Sequence, residues 1–454
     1  MVVVFYNILF IWGIIESSYG ILQVFRLANS HNEKFILTGH FDNPGPFGGF
    51  IACIVAVAIM YIIHNQKKVS SAFERITINL SYLSLSLGLV ILPASFSRSA
   101  WIGLIVTLVV LSLRLPKVRM WIDTNKIETV YCVIVLSFLI CGLFLFKKDS
   151  ALGRMHMWHM ELNALVRAPL NGYGKGYEMG AYGESQALYF RTHLENNSVS
   201  ERIIKVAGCP EYPFNEYLGV GLAYGIPVMF AVVAITIMLI TNLWLRGSPM
   251  AAGITTLSIF AAGSYPMNLW QFWVLLALFV TGCGRVKYKQ HVSGTFVDTI
   301  ISSLFALLVL SVGMKYMKQT THLKTNGFRS IYYEAYGYHL EGNWRKSNEL
   351  LEIGAKMSSD PMFHVIMGKN YEAMDAYDEA EKEYWIAHYM VPCRIYPLAR
   401  LMHLKIHMGK DEEAIKISKV IEGMPVNNRS ENMIKLKNDC LHIRDSLCMT
   451  LADR

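Results

Sequence analysis

Gly153-Arg154-Met155-His156-Met157-Trp158-His159, Ala168-Pro169-Leu170-Asn171-Gly172-Tyr173-Gly174-Lys175-Gly176 and Tyr212-Pro213-Phe214-Asn215-Glu216-Tyr217-Leu218 fall within one polar stretch, 148–217. Long apolar runs flank that stretch on both sides, and they read as membrane up to about residue 317. A large polar loop held between membrane helices is where a membrane enzyme places its water-side chemistry.

Working outward, the chain of 454 residues is 53% hydrophobic and only 17% charged, against about a quarter charged in an ordinary soluble domain. Up to residue 317 the charges sit in clusters between apolar runs, whereas 318–454 has soluble composition. The expectation is a polytopic membrane domain, 1–317, followed by a soluble domain, 318–454. The net charge of +8 lies largely in short loops between apolar segments, which is the bias of cytoplasmic loops and not a sign of nucleic-acid binding. Eight cysteines are scattered with no CxxC and no zinc-type Cys/His spacing, so no disulfide framework is expected.

Nine runs approach the roughly twenty residues a bilayer crossing needs: 2–16, 46–64, 78–95, 99–114, 128–146, 216–241, 250–265, 268–284 and 298–316. The first has no cleavage-site pattern and reads as an anchor. Lys and Arg concentrate in the 65–77, 114–127, 242–249 and 285–297 loops. With nine crossings and the N-terminus inside, these four loops are cytoplasmic, and the 17–45 and 148–215 loops and the C-terminal domain lie outside.

Several stretches carry weighable chemistry. Asp42-Asn43-Pro44-Gly45-Pro46 is turn chemistry leading into a helix; a close approach of backbone to a neighbouring helix or a ligand, allowed by the glycines, is the competing reading. Ser97-Arg98-Ser99-Ala100-Trp101 lies between two apolar runs. An arginine at membrane depth costs roughly 2.5–3.5 kcal/mol on insertion scales and so has a partner or a job. The alternative is a headgroup-facing turn with Trp101 in the aromatic belt. Arg154 and Trp158 are i and i+4, on one helix face with Glu161 a turn further on. His156 and His159 have no third ligand at a persuasive spacing, so no metal is expected. Gly172, Gly174 and Gly176 follow a proline and not a strand, which disfavours a dinucleotide site and leaves a backbone cradle or plain turns.

Beyond 317, Gly342-Asn343-Trp344 is followed 33 residues later by Asp375-Ala376-Tyr377 and 34 residues after that by Gly409-Lys410-Asp411. Each block sits between helix-period stretches. This period resembles tetratricopeptide repeats, with about three units. Such repeats usually bind partners.

Taken together, Gly39-His40-Phe41-Asp42-Asn43-Pro44-Gly45, Ser97-Arg98-Ser99-Ala100-Trp101, Gly153-Arg154 with Trp158, Pro169-Leu170-Asn171-Gly172-Tyr173-Gly174 and Asn215-Glu216-Tyr217-Leu218 resemble the O-antigen ligase superfamily, over roughly 1–285. That group includes O-antigen ligases, O-antigen polymerases and bacterial O-oligosaccharyltransferases. The resemblance implies an all-α fold, and transfer of a glycan from undecaprenyl diphosphate to an acceptor hydroxyl. The reaction lies on the periplasmic face of the inner membrane and uses neither metal nor cofactor. Arg98 and Arg154 would hold the diphosphate; Asn43, Trp101, Trp158, Gly172, Gly174 and Asn215 would bind substrate. Guanidinium forks suit phosphate oxygens.

Two departures qualify it. Many ligases have a histidine before the Asn of the last motif, where this chain has Phe214. Glu216 is then the nearest ionisable replacement, with His156, His159 and His193 as looser alternatives. The family also often has more helices upstream, so sequence is expected to precede this start. The expected partners are the lipid-linked donor, a glycan, lipid or protein acceptor, membrane lipids, and an envelope protein at the repeats. A polymerase of repeat units, or a non-catalytic membrane scaffold presenting the repeats, are the alternatives.

Overall fold

A computed structural model describes residues 2–66, 71–146, 148–196, 198–281, 304, 306–318, 327–424 and 431–452. Among these, every regular element is a helix. By its contacts the chain divides into two compact units. The first takes Met1–Lys148, Phe214–Tyr217 and Met229–Gln319; the second takes Asp149–Pro213, Leu218–Val228 and Thr320–Arg454. Part of the expected 298–316 run lies outside the described residues.

In the first unit, α1 (Val2–Val24), α2 (Pro44–Asn65), α3 (Ala72–Ile91), α4 (Arg98–Arg114), α12 (Met250–Ala261) and α13 (Trp270–Thr281) share one core. Local sequence starts these helices. Asn43 caps α2, its Oδ1 accepting from Gly45 N at 2.8 Å, and Pro44 sits at the first helical position. Ser71 and Glu74 form a reciprocal capping box for α3. A short turn, Pro93–Ser95, separates α3 from α4.

Helix α2 is the hub, packing on α1, α3, α4 and α12. Its glycines let neighbours close in: a Cβ on Gly49 would lie 2.3 Å from the Phe260 ring. Phe47, Phe50, Phe260 and Phe272 are fully buried around it.

Among the described residues, three helices are long and apolar enough to cross a membrane: Val3–Val24, Pro44–Asn65 and Ile226–Leu245. A fourth span would need α4 joined to α5 (Pro116–Thr124) through an 84° bend. Length and apolarity thus support a helical membrane protein. Each expected run contains a helix among its described residues, but α12 and α13 are short, and the 216–241 run breaks at Gly225 into α10 (Glu216–Tyr224) and α11 (Ile226–Leu245). The apolar stretch of α2 is 89% buried inside the protein and that of α11 only 6%. A helix apolar all round and left uncovered by protein, as α11 is, suits a lipid environment.

The 149–213 segment is not a simple loop. It contains α7 (Lys148–Arg167), α8 (Glu178–Glu195) and α9 (Glu201–Val206). In the second unit α8 packs against α16 (Trp344–Met357) and α18 (Tyr377–Met390). The approach is close: a Cβ on Gly180 would fall 1.9 Å from Lys356 O.

The remaining helices, α15 (Phe328–Leu340), α17 (Met362–Ala373), α19 (Ile395–His407), α20 (Asp411–Gly423) and α21 (Glu431–Ala452), continue the stack in chain order. One turn recurs at the expected period. Gly342, Asp375 and Gly409 all have positive φ. The amides of Asn343, Ala376 and Lys410 each bond the carbonyl five residues back, at 2.8–2.9 Å. This is one type of helix stop, built three times.

Candidate functional site

In the first unit the starts of α2, α4 and α10 are tied into one cluster. Ser97 Oγ donates to Gly45 O at 3.0 Å, joining the start of α4 to the start of α2. Ser99 Oγ donates to Gly263 O at 3.1 Å, in the turn after α12. A few residues on, Met267 N donates to Glu216 Oε1 at 2.7 Å, and Tyr217 OH reaches Ser258 O at 3.1 Å. Phe214 lies edge-on to Tyr265, ring centroids 5.1 Å apart. Helix N-termini carry partial positive charge, and Ser97 brings two of them, those of α2 and α4, together. The carboxylate of Glu216 sits at its own helix start and is buried.

Arg98 is the first residue of α4 and half-buried. It follows Phe96, whose φ of 48° puts an exposed, bulky residue in the left-handed region. That conformation costs of order 1–3 kcal/mol and persists where the surroundings fix it. Here Ser95 and Ser97 fix it, packing over Gly48 so closely that a Cβ there would lie 2.5 Å from Ser95 Oγ. The bend delivers Arg98 to the α4 start. Trp101, one turn on, packs against the core. Asn215 Oδ1 accepts from Tyr217 N at 3.0 Å, and Asn43 is occupied as the α2 cap.

The same region holds a pair that sequence reasoning passed over. Glu16, on α1, is 3% exposed. Its carboxylate accepts from His40 N at 3.3 Å and lies 3.0 Å from His40 Nδ1. The His40 ring stacks on Tyr19 at 4.3 Å, and Gln271 Nε2 donates to His40 O at 3.2 Å. A signal existed in the sequence: Glu16 is the one charged residue of the apolar α1, seven residues before Gln23 on the same face.

In the second unit, Arg154 and Trp158 are half-buried on α7. His156 is buried, with Nε2 3.1 Å from Gln186 Oε1. Burial pushes its imidazole down to about 4. Gln186 also donates to Gly208 O and Met390 O. His159 is exposed. Among the described residues no group of three His, Cys, Asp or Glu is placed to hold a metal.

Gly172, Gly174 and Gly176 all have positive φ. Tyr173 N and Gly174 N donate to Leu222 O and Ala223 O at 2.7 and 3.0 Å, and Ile226 N donates to Pro169 O at 2.7 Å. A Cβ on Gly172 would lie 2.5 Å from Leu222 O. These glycines thus let two backbone segments clasp. Arg98, Trp101, Asn43, Asn215 and Glu216 fall in one unit; Arg154, Trp158, Gly172 and Gly174 fall in the other.

With this geometry in hand, comparison with known families places residues 83–233 against a model described as O-antigen ligase. About a third of the chain is thus similar to an O-antigen ligase region, set within a protein whose apolar helices suit a membrane. The matched segment includes Arg98, Trp101, Arg154, Trp158, Gly172, Gly174, Asn215 and Glu216, and not Asn43 or the C-terminal helices. No curated protein matches the chain, and no solved structure does.

Proposed function

We propose that the protein moves a glycan from undecaprenyl diphosphate to an acceptor hydroxyl, independently of metal, on the periplasmic face of a bacterial inner membrane. The observation that carries this reading is the family match across 83–233, which spans both motif arginines. Arg98, at the start of α4, and Arg154 are assigned to the diphosphate. Guanidinium stays charged near lipid and offers a planar fork to phosphate oxygens; it also stabilises the negative charge that grows on the leaving group. Trp101, Trp158, Asn43, Gly172, Gly174 and Asn215 are assigned to substrate binding. Glu216 is proposed to orient the acceptor hydroxyl. Residues 318–454 are proposed as a periplasmic tetratricopeptide-like domain, which the threefold turn at Gly342, Asp375 and Gly409 favours. On this topology the membrane part crosses nine times.

The test is transfer from a lipid-diphosphate-linked glycan by purified protein, with and without chelator. Wild type is expected to be active in both conditions, and Arg98→Ala and Arg154→Ala to fall in activity. Full activity of both variants removes the diphosphate role, and loss with chelator moves attention to His156 and His159. The glycan profile of a deletion strain separates the alternatives. Unligated lipid-linked polymer favours a ligase, a single repeat unit a polymerase, and an unchanged profile a scaffold.

A further inference from the structure

The histidine expected beside Asn215 is replaced by Phe214, whose ring takes no proton. We infer that His40, held by Glu16, is the general base that activates the acceptor hydroxyl; the assignment rests on the glycosyl-transfer reading above. The reason is the geometry around His40. Glu16 is buried, and a buried carboxylate needs partners; it finds two on one residue, the backbone amide and ring Nδ1 of His40. An ionised carboxylate only accepts hydrogen bonds. Nδ1 therefore carries the proton, and Nε2 keeps the lone pair that a base uses. The His40 side chain is 47% exposed while that of Glu16 is 4% exposed. A half-exposed imidazole held by a sequestered carboxylate is an arrangement suited to general-base work.

The support extends beyond the pair. Gln23, 1% exposed on the same face of α1, accepts from the amides of Thr38 and Gly39 at 3.0 and 2.8 Å. Gly39 has φ +58°, and a Cβ there would strike Phe47 and approach Glu16 Oε2 to 2.9 Å. The His40 backbone is thus locked on three sides, the third being Gln271. Gln271 lies four residues after Met267, whose amide holds Glu216. His40, Glu216 and Ser99, the neighbour of Arg98, thus all hydrogen-bond to one segment, 263–271.

In the step assigned to it, Nε2 takes the acceptor's hydroxyl proton as the oxygen bonds the anomeric carbon. The bond from that carbon to the diphosphate oxygen breaks, and the electron pair leaves on the lipid diphosphate. The imidazolium then returns its proton to water. Glu16 acts through His40 and is a positioning residue.

The experiment uses the full-length protein and the lipid-diphosphate donor assay. His40→Asn keeps a donor near the Nδ1 position and lacks the base. It is expected to lower kcat by about 100-fold or more with little change in donor KM, the scale of a lost general base. Added imidazole is expected to restore part of the activity of His40→Ala. Glu16→Gln should lower kcat less than His40→Asn does, and Glu16→Asp should keep more activity than Glu16→Gln. Wild-type kcat in His40→Asn overturns the assignment, as does a dead His40→Ala that imidazole does not restore. If Arg98→Ala abolishes transfer while the His40 variants remain active, only this inference falls. If the wild-type protein transfers nothing, the glycosyltransferase reading falls with it.

Discussion

At Gly342, Asp375 and Gly409 the chain builds one turn three times, and each of its hydrogen bonds closes within five residues. Around Arg98 and His40 the bonds that matter join residues 51, 52, 164 and 231 apart. A local turn forms wherever its few residues occur, and damage to one copy stays in that copy. A cluster of long-range bonds exists only when several helices are in place together. The roles proposed for Arg98, Glu216 and His40 lie in the second kind of region, where side chains from distant segments can be fixed against each other.

The largest expected effect tests whether long-range closeness also governs the repeat-bearing unit. Gly180→Val would drive side-chain carbons into the carbonyl of Lys356, which is backbone and has little room to yield. A loss of about 3 kcal/mol is expected. Hydrogen exchange on the detergent-solubilised protein should show it, with the amides of α8 and α16 losing protection together. Unchanged protection would mean that α8 is only loosely associated with the stack.

Acid should weaken the same unit. His156 and His388 are both buried, and burial lowers each imidazole from 6.5 to about 4. Between those values the unfolded chain binds protons that the folded chain refuses. Their contribution to stability therefore falls as pH drops from 6.5 toward 4, and is flat above and below that window. Each histidine is expected to contribute roughly 3 kcal/mol of this loss at 1.36 kcal/mol per pKa unit. Among the described residues the Nδ1 atom of His388 has no hydrogen-bond partner, so His388→Leu should flatten the profile. A profile that stays equally steep in this variant would assign the acid sensitivity elsewhere.

For the long-range cluster, the smaller test is catalytic. Removing the Arg98 fork should cut transfer at least about tenfold, since a hydrogen bond to a charged group contributes roughly 1.5–3 kcal/mol. Arg98→Lys should restore only part of it, because lysine lacks the planar fork. Equal activity of lysine and arginine would reduce the role to charge alone.

The smallest effects belong to the repeated turn. Gly409→Ala forces a Cβ onto a residue at φ +71° and should cost roughly 1 kcal/mol. Asp375→Gly relieves the same strain at φ +58° but loses the bond from Tyr377 OH to Asp375 Oδ1, so its net effect should be close to zero. Thermal unfolding of both variants gives the comparison. A Gly409→Ala loss that spreads protection changes into the first unit would show that the turns are not independent.

Apolar run length was enough to place helices, because it reports burial or lipid contact regardless of neighbours. The 33- and 34-residue spacing marked the repeated turn, because that turn depends on its own few residues. Arg98 stood out as an isolated charge between apolar runs. What the sequence left open was which apolar helix is inside: α2 and α11 read alike, yet one is enclosed by protein and the other is not. Within 149–213 the helix at Arg154 and Trp158 was legible, but α8 was hidden, since it finds its partners on α16 and α18, far along the chain. Glu16 and His40 are 24 residues apart, in a helix and a loop, and no periodicity links them. Only the folded chain sets a carboxylate behind an imidazole, because their contact requires α1, the 38–40 backbone and Gln271 to be held at once.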